Sequence, residues 1–109
     1  MKSIAAAATL LSLLHGATAS ITWGTMCTGT EFTGTCTNYQ STNVNQCISF
    51  AGKDASWNDK VQSVSVWDGN VCTFWIDVGC SGSSSGALEG AFATIGQPKQ
   101  WSSFACNYA

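Results

Sequence analysis

Six cysteines, Cys27, Cys36, Cys47, Cys72, Cys80 and Cys106, punctuate a chain of 109 residues, and what precedes them decides how they are read. The chain opens Met1-Lys2-Ser3, runs apolar from Ile4 to Leu14 and reaches the small-x-small stretch Ala17-Thr18-Ala19. One positive charge, a short apolar run and that cleavage site mark residues 1–19 as a secretory signal peptide, with residues 20–109 as one mature domain. The apolar run is shorter than the roughly 20 residues that cross a bilayer, and no later segment could span one. An even cysteine count in a short exported chain implies three disulfides, in any of about 15 pairings. No Cys-x-x-Cys pair is present, so metal thiolates are not expected. A domain of this size buries a modest core, and cross-links supply a needed part of its stability.

The charged residues are few. His15, the only histidine, belongs to the leader, and there is no arginine. Lys53, Lys60 and Lys99 stand against Glu31, Asp54, Asp59, Asp68, Asp77 and Glu89. Three scattered lysines form no basic stripe that could neutralise phosphates, so neither nucleic acid nor an anionic membrane surface is an expected partner. There is no Asn-x-Ser/Thr sequon for ordinary N-glycosylation. Without histidine the Ser–His and Cys–His nucleophile arrangements cannot be assembled. Glu31 with Glu89 is the remaining carboxylate pair for glycoside cleavage, but a small domain seldom offers the long cleft a polysaccharide needs. Both glutamates are expected on exposed loops, and the chain is not expected to be an enzyme.

Strand signals outnumber helix signals. Residues 21–27 alternate, with Ile21, Trp23, Thr25 and Cys27 on one face. Residues 46–50 are a short β-rich run, residues 64–67 alternate, and Asp68-Gly69-Asn70 reads as a tight turn. Residues 71–78 are the strongest strand, and residues 103–108 the last. The Gly/Ser-rich stretch 81–86 reads as a flexible loop. Many short strands with regular turn signals indicate a sandwich or barrel.

The sequence also repeats. Cys27, Phe32 and Gly34 share the spacing of Trp75, Cys80 and Gly82, with the two glycines 48 residues apart. Each half closes on a Ser-containing strand, after Asn58-Asp59-Lys60-Val61-Gln62-Ser63 in the first and Gln100-Trp101-Ser102-Ser103 in the second. Two similar halves suggest a duplicated supersecondary unit.

These residues resemble the Greek-key motif of the βγ-crystallin superfamily: aromatic-x4-aromatic-x-Gly, followed by Asn/Asp-Asn/Asp-x-x-Ser/Thr-Ser. The cysteine placement and the run Trp57-Asn58-Asp59 are similar to small fungal secreted members. The resemblance covers nearly all of the mature chain. It implies an all-β, disulfide-stapled sandwich of two Greek-key motifs. In it the first eight residues of each motif fold back over the sheet, Gly34 and Gly82 take positions no side chain can occupy, and a serine hydrogen-bonds the folded hairpin. A strand following the second hairpin should return beside it, which favours Cys80 pairing with Cys106. Cys27 can pair with Cys36 across the first hairpin.

The resemblance also implies a calcium site in which an Asn/Asp of one motif works with a Ser/Thr of the other. Calcium takes six to eight oxygens. Asn58-Asp59 fits, but Gln62 stands where Ser/Thr is required, and Pro98-Lys99 stand where two Asn/Asp belong. One half-site remains, from Asp59 and Ser102, and no cofactor is expected: calcium binding should be weak. Otherwise Asn58 and Asp59 cap a turn. Among the five tryptophans, Trp23 and Trp75 lie in strong strands and read as structural. Trp57, Trp67 and Trp101 flank turns and, partly exposed, are the candidates for stacking on sugar rings.

The expected protein is a secreted, extracellular, monomeric binding domain whose partner is an extracellular protein or a glycan. Small secreted members of the superfamily that it resembles include antimicrobial killer toxins, metalloprotease inhibitors and effectors. A flexible stretch at 81–86 counts against inhibition, which needs a rigid loop. A carbohydrate-binding module and a protease inhibitor are the alternatives.

Overall fold

The computed structural model describes residues 19–96 and 100–109. The expected signal peptide, apart from Ala19, and the pair Pro98-Lys99 therefore lie outside the described residues. The described chain forms eight strands, β1 (Ile21–Cys27), β2 (Cys36–Ser41), β3 (Ile48–Ser49), β4 (Ser63–Val66), β5 (Asn70–Asp77), β6 (Ser81–Ser84), β7 (Gly90–Phe92) and β8 (Ser103–Tyr108). Short 3₁₀ turns occupy Thr30–Phe32 and Gly52–Trp57. No described helix is long and apolar enough to cross a membrane.

Two four-stranded antiparallel sheets result, ordered β2-β1-β4-β7 and β3-β8-β5-β6. Each sheet takes three strands from one half of the chain and one from the other. β3 leaves the first half to pair with β8, and β7 leaves the second half to pair with β4. The repeat read in the sequence is thus two Greek keys that exchange their third strands. Neither half can bury its own apolar face alone, and the exchange closes both sheets over a shared core. That core holds Trp23, Tyr39, Val64, Phe74, Trp101 and Phe104. Tyr39 meets Phe74 and Phe104 edge-on, with ring centroids 5.7 and 5.2 Å apart, a favoured aromatic geometry.

The alternation expected of residues 21–27 is broken. β1 pairs Thr22 with Gln40 and then Gly24 with Tyr39, leaving Trp23 as an extra residue in a bulge. The bulge turns the later side chains over, so Met26 is buried beside Trp23 while the Thr25 hydroxyl bonds the Asn38 side chain at 3.0 Å. Gly24 is needed there: a Cβ would strike the Ser65 carbonyl and the Tyr39 hydroxyl. The indole N–H of Trp23 donates to Ser41 at 2.8 Å, which settles the one polar atom of that buried ring.

The Gly/Ser stretch is also corrected. Residues 81–84 are strand β6, paired with β5 through Trp75↔Ser84 and Asp77↔Ser81. Small polar residues suit an exposed sheet edge, where no side chain needs burying. The order of this segment removes the flexibility held against an inhibitor.

All six cysteines pair, as Cys27–Cys36, Cys47–Cys80 and Cys72–Cys106. The expected Cys80–Cys106 bond is overturned. Cys80 does return beside β8, but its N–H bonds Ser103, three residues before Cys106. Three strand residues span about 10 Å, beyond the reach of a disulfide. Cys106 instead lies directly opposite Cys72 in the β5–β8 ladder. Cys72 exchanges both backbone bonds with Leu88 on its other side, so it faces Cys106 as a non-hydrogen-bonded pair, the closer kind. Cys80 joins Cys47, just before β3 on the far side of β8, and so ties the first half to the second.

Candidate functional site

The repeated hairpins come first, because they position everything near them. After β1 the chain folds back, closed by Thr28 N–H to Thr35 O at 3.0 Å and Gly29 N–H to Thr33 O at 2.9 Å. Glu31 and Phe32 adopt left-handed backbone, as does Cys80 in the second hairpin. Ser63 sits beneath the first fold, accepting the Phe32 N–H at 3.1 Å and donating to the Gly29 carbonyl at 2.6 Å. Ser103 does the same beneath the second, accepting from Cys80 N–H and donating to the Asp77 carbonyl. Gly34 and Gly82 have φ of +80° and +82°, and a Cβ would strike Thr28 and Asp77 respectively.

Beside these clasps lie Asp59 and Ser102. Asp59 has left-handed backbone, which Asp tolerates better than most residues, and its N–H donates to the Trp101 carbonyl at 3.0 Å. That bond carries the carboxylate to the second half, where the Ser102 hydroxyl donates to it at 3.4 Å. The Asn58 side-chain amide donates to the other carboxylate oxygen at 3.4 Å. The structure thus brings together the two side chains expected of a half-site, and both bonds described for the carboxylate go to side chains rather than to a turn's backbone. Gln62, in the matching place of the other half, spends its amide on the Thr28 carbonyl at 3.0 Å. One carboxylate and one hydroxyl can offer calcium at most three oxygens, with the rest left to backbone and water. Among the described residues no group of three or more His, Cys, Asp or Glu could hold a metal.

The tryptophan candidates do not share a surface. Trp101 is 1 % exposed and packs edge-on against Phe74, so it has no face for a sugar. Its indole belongs to the hydrophobic core, so its expected partial exposure is overturned. Trp67 is 43 % exposed at the β4–β5 hairpin. Trp57 is half-buried at the end of the 3₁₀ turn and packs on the core.

The rim of Trp57 opens onto a groove that the sequence did not reveal. A hollow of about 190 Å³ runs between edge strand β2, Ile48 and the 3₁₀ turn, lined by Asn38, Gln40, Lys53, Asp54 and Trp57 over a floor that includes Tyr39. A second, of about 270 Å³, adjoins it through Gln40, Lys53 and Asp54 and extends to Gln46. Burial pushes the Tyr39 hydroxyl above its ordinary pKa, so it stays a neutral donor to the Ser65 carbonyl at 3.2 Å. Glu31 and Glu89 are both exposed, as expected.

No family model matches the chain, and no curated protein resembles it in sequence. Solved structures do resemble its fold. A βγ-crystallin domain of Abundant Perithecial Protein from Neurospora crassa, in its Ca2+-bound form, superposes with a TM-score of 0.63 at 24% identity, over 80% of this chain and 89% of that one. The N-terminal domain of protein S gives 0.65 at 14% identity, over 80% and 97%. A βγ-crystallin domain from Clostridium beijerinckii gives 0.65 at 13%, over 79% and 97%. The chain is an all-β double Greek-key domain. Its fold is βγ-crystallin-like, and three disulfides staple it.

Proposed function

We propose that this chain is exported, loses residues 1–19 and acts outside the cell as a disulfide-locked binding domain without catalysis. The observation that supports this best is the Cys47–Cys80 bond, which ties the third strand of one Greek key to the hairpin of the other. With Cys27–Cys36 and Cys72–Cys106 it leaves no free thiol. Such a framework needs an oxidising compartment to form and suits a rigid surface that persists outside cells. The lack of histidine and arginine beyond the leader is the chemical argument against a hydrolytic site. An effector or antimicrobial-type interaction protein fits this reading. The Ca2+-bound state of the Neurospora domain makes weak calcium binding at Asp59 and Ser102 part of the proposal.

The test is secretion followed by capture. The full chain is expressed in a secreting host, and the mature N-terminus and intact mass are read. Cleavage after Ala19 and a mass lacking six hydrogens are expected. The folded product is then crosslinked in extracts of host or competitor organisms. Retention of the leader, or alkylation of a thiol in the folded product, would count against export and full pairing.

A further inference from the structure

The double hollow beside β2 has a lining whose chemistry points to one ligand class. Its charged side chains are one cation, Lys53, and one anion, Asp54, so the lining is neutral overall. The rest of its lining is amide and hydroxyl groups around an apolar floor of Met26, Tyr39, Ile48, Phe50 and Phe104, with the half-buried Trp57 at its rim. Two of the amides are fixed by their own oxygens. Gln46 Oε1 accepts from Thr42 N–H at 2.8 Å, Thr42 Oγ1 at 2.9 Å and Asn43 N–H at 3.1 Å. Asn38 Oδ1 accepts from Thr25 Oγ1 at 3.0 Å. With the oxygens engaged, the donor end of each amide is set in place before any ligand arrives, and preorganised donors bind without an ordering cost. Asp54 supplies acceptor oxygens between the two hollows.

From this we infer that the groove binds an uncharged oligosaccharide, one sugar ring resting against Trp57 and its hydroxyls meeting Asn38, Gln46 and Asp54. Sugar hydroxyls donate and accept together, which matches fixed amide donors beside a carboxylate. Their ring C–H groups suit the negative π face of an aromatic ring. An anionic glycan or a phosphate would meet Lys53 only beside Asp54. Together the hollows reach the size of small-molecule sites, roughly 300–1,000 Å³. The inference deepens the reading of the chain as an exported binding domain and rests on it.

Secreted mature protein is titrated with chitohexaose, cellohexaose, laminarihexaose and mannohexaose, with tryptophan fluorescence and calorimetry as readouts. Saturable binding of at least one is expected. Gln46→Glu and Asn38→Asp keep the oxygens that serve the fold and replace the donors, so each should weaken that binding about tenfold while the thermal melt holds. Trp57→Ala should abolish it, and Trp67→Ala, which removes a ring outside the groove, should leave it intact. Failure of all four sugars overturns the inference, as does binding that only Trp67→Ala removes. If the extract crosslinks a protein while no sugar binds, the exported binding domain stands and the glycan groove falls.

Discussion

The Ser103 hydroxyl accepts the backbone N–H of Cys80 at 3.0 Å and donates to the Asp77 carbonyl, pinning the second hairpin from below. Ser63 repeats this with Phe32 and Gly29, each 48 residues earlier than its counterpart. The hairpin residue differs, an aromatic in one half and a half-cystine in the other. The serine does not, because the bonds go to backbone, which every residue carries. Both serines are fully buried.

Ser63→Ala and Ser103→Ala should therefore each destabilise the domain by about 1–3 kcal/mol, since each leaves a hairpin N–H and a carbonyl without their partner. Urea unfolding of the two variants checks this. A loss of only a few tenths of a kcal/mol in both would mean that water reaches these groups and the clasp is not structural.

Gly34→Ala and Gly82→Ala should cost more than Gly69→Ala. All three glycines have positive φ, so each substitution carries the left-handed penalty of about 1 kcal/mol. Only Gly34 and Gly82 also place the new Cβ against a neighbour, while Gly69 has open space. Equal melting temperatures for the three variants would contradict the steric difference.

The sequence spoke most clearly where a local rule and the fold agreed. β1 and β8 begin and end where their β-rich runs do, and the spacing of Phe32-x-Gly34 and Cys80-x-Gly82 predicted the folded hairpins. β2 and β7 escaped because each carries a single core-facing ring, Tyr39 or Phe92, among polar or small residues, and both are edge strands specified by partners far along the chain. The bulge at Trp23 hid which of Thr25 and Met26 faces inward. Asp59 and Ser102 were legible as a pair because a motif relates them. The groove was not, since Asn38, Gln46 and Asp54 follow no spacing rule and meet only once β2 stands across from the 3₁₀ turn.

Tyr39 should make the fold sensitive to alkali. Burial raises its folded-state pKa above 10.0, the value it would have unfolded. Below pH 10 both states hold the proton and the group adds no pH dependence. Above it the unfolded state releases the proton first, so stability falls as pH rises toward the folded-state pKa, by at most about 1.4 kcal/mol per pH unit. Tyr39→Phe should flatten the alkaline limb while costing about 1 kcal/mol at neutral pH for the bond to Ser65. Denaturant midpoints from pH 7 to 11 test it, and an unchanged alkaline limb in the variant would assign the effect elsewhere.

Calcium should change stability little. With a dissociation constant near about 1 mM, 1 mM calcium would add about 0.4 kcal/mol, or a shift of about 2–3 °C. Asp59→Asn keeps an acceptor for Ser102 and the tolerance of left-handed backbone, so it should leave the metal-free melt unchanged and erase the calcium shift. Melts with calcium and with chelator decide the matter. A rise of many degrees in the wild-type chain would show that backbone oxygens complete a strong site around Asp59 and Ser102.

The disulfides should rank by the loops they close. Cys27–Cys36 spans 9 residues, against 33 for Cys47–Cys80 and 34 for Cys72–Cys106. The chain-entropy relation makes each long loop worth about 1 kcal/mol more than the short one. Replacing both cysteines of a pair by serine should cost roughly 2–5 kcal/mol, with the loop contribution least for Cys27–Cys36, where the buried Cys27 also leaves one hydroxyl enclosed. The Cys72–Cys106 replacement adds the burial of two hydroxyls, because both cysteines are almost fully enclosed, and should be the most severe. Cys47 is exposed, and Cys80 half-buried, so their replacement isolates the entropic part. Total stability for a domain is about 5–15 kcal/mol, so reducing all three bonds should unfold this one at body temperature. Circular dichroism of the reduced, alkylated protein beside the three double-serine variants gives the order. A reduced chain that still melts cooperatively would show that the interlocked Greek keys hold without their staples.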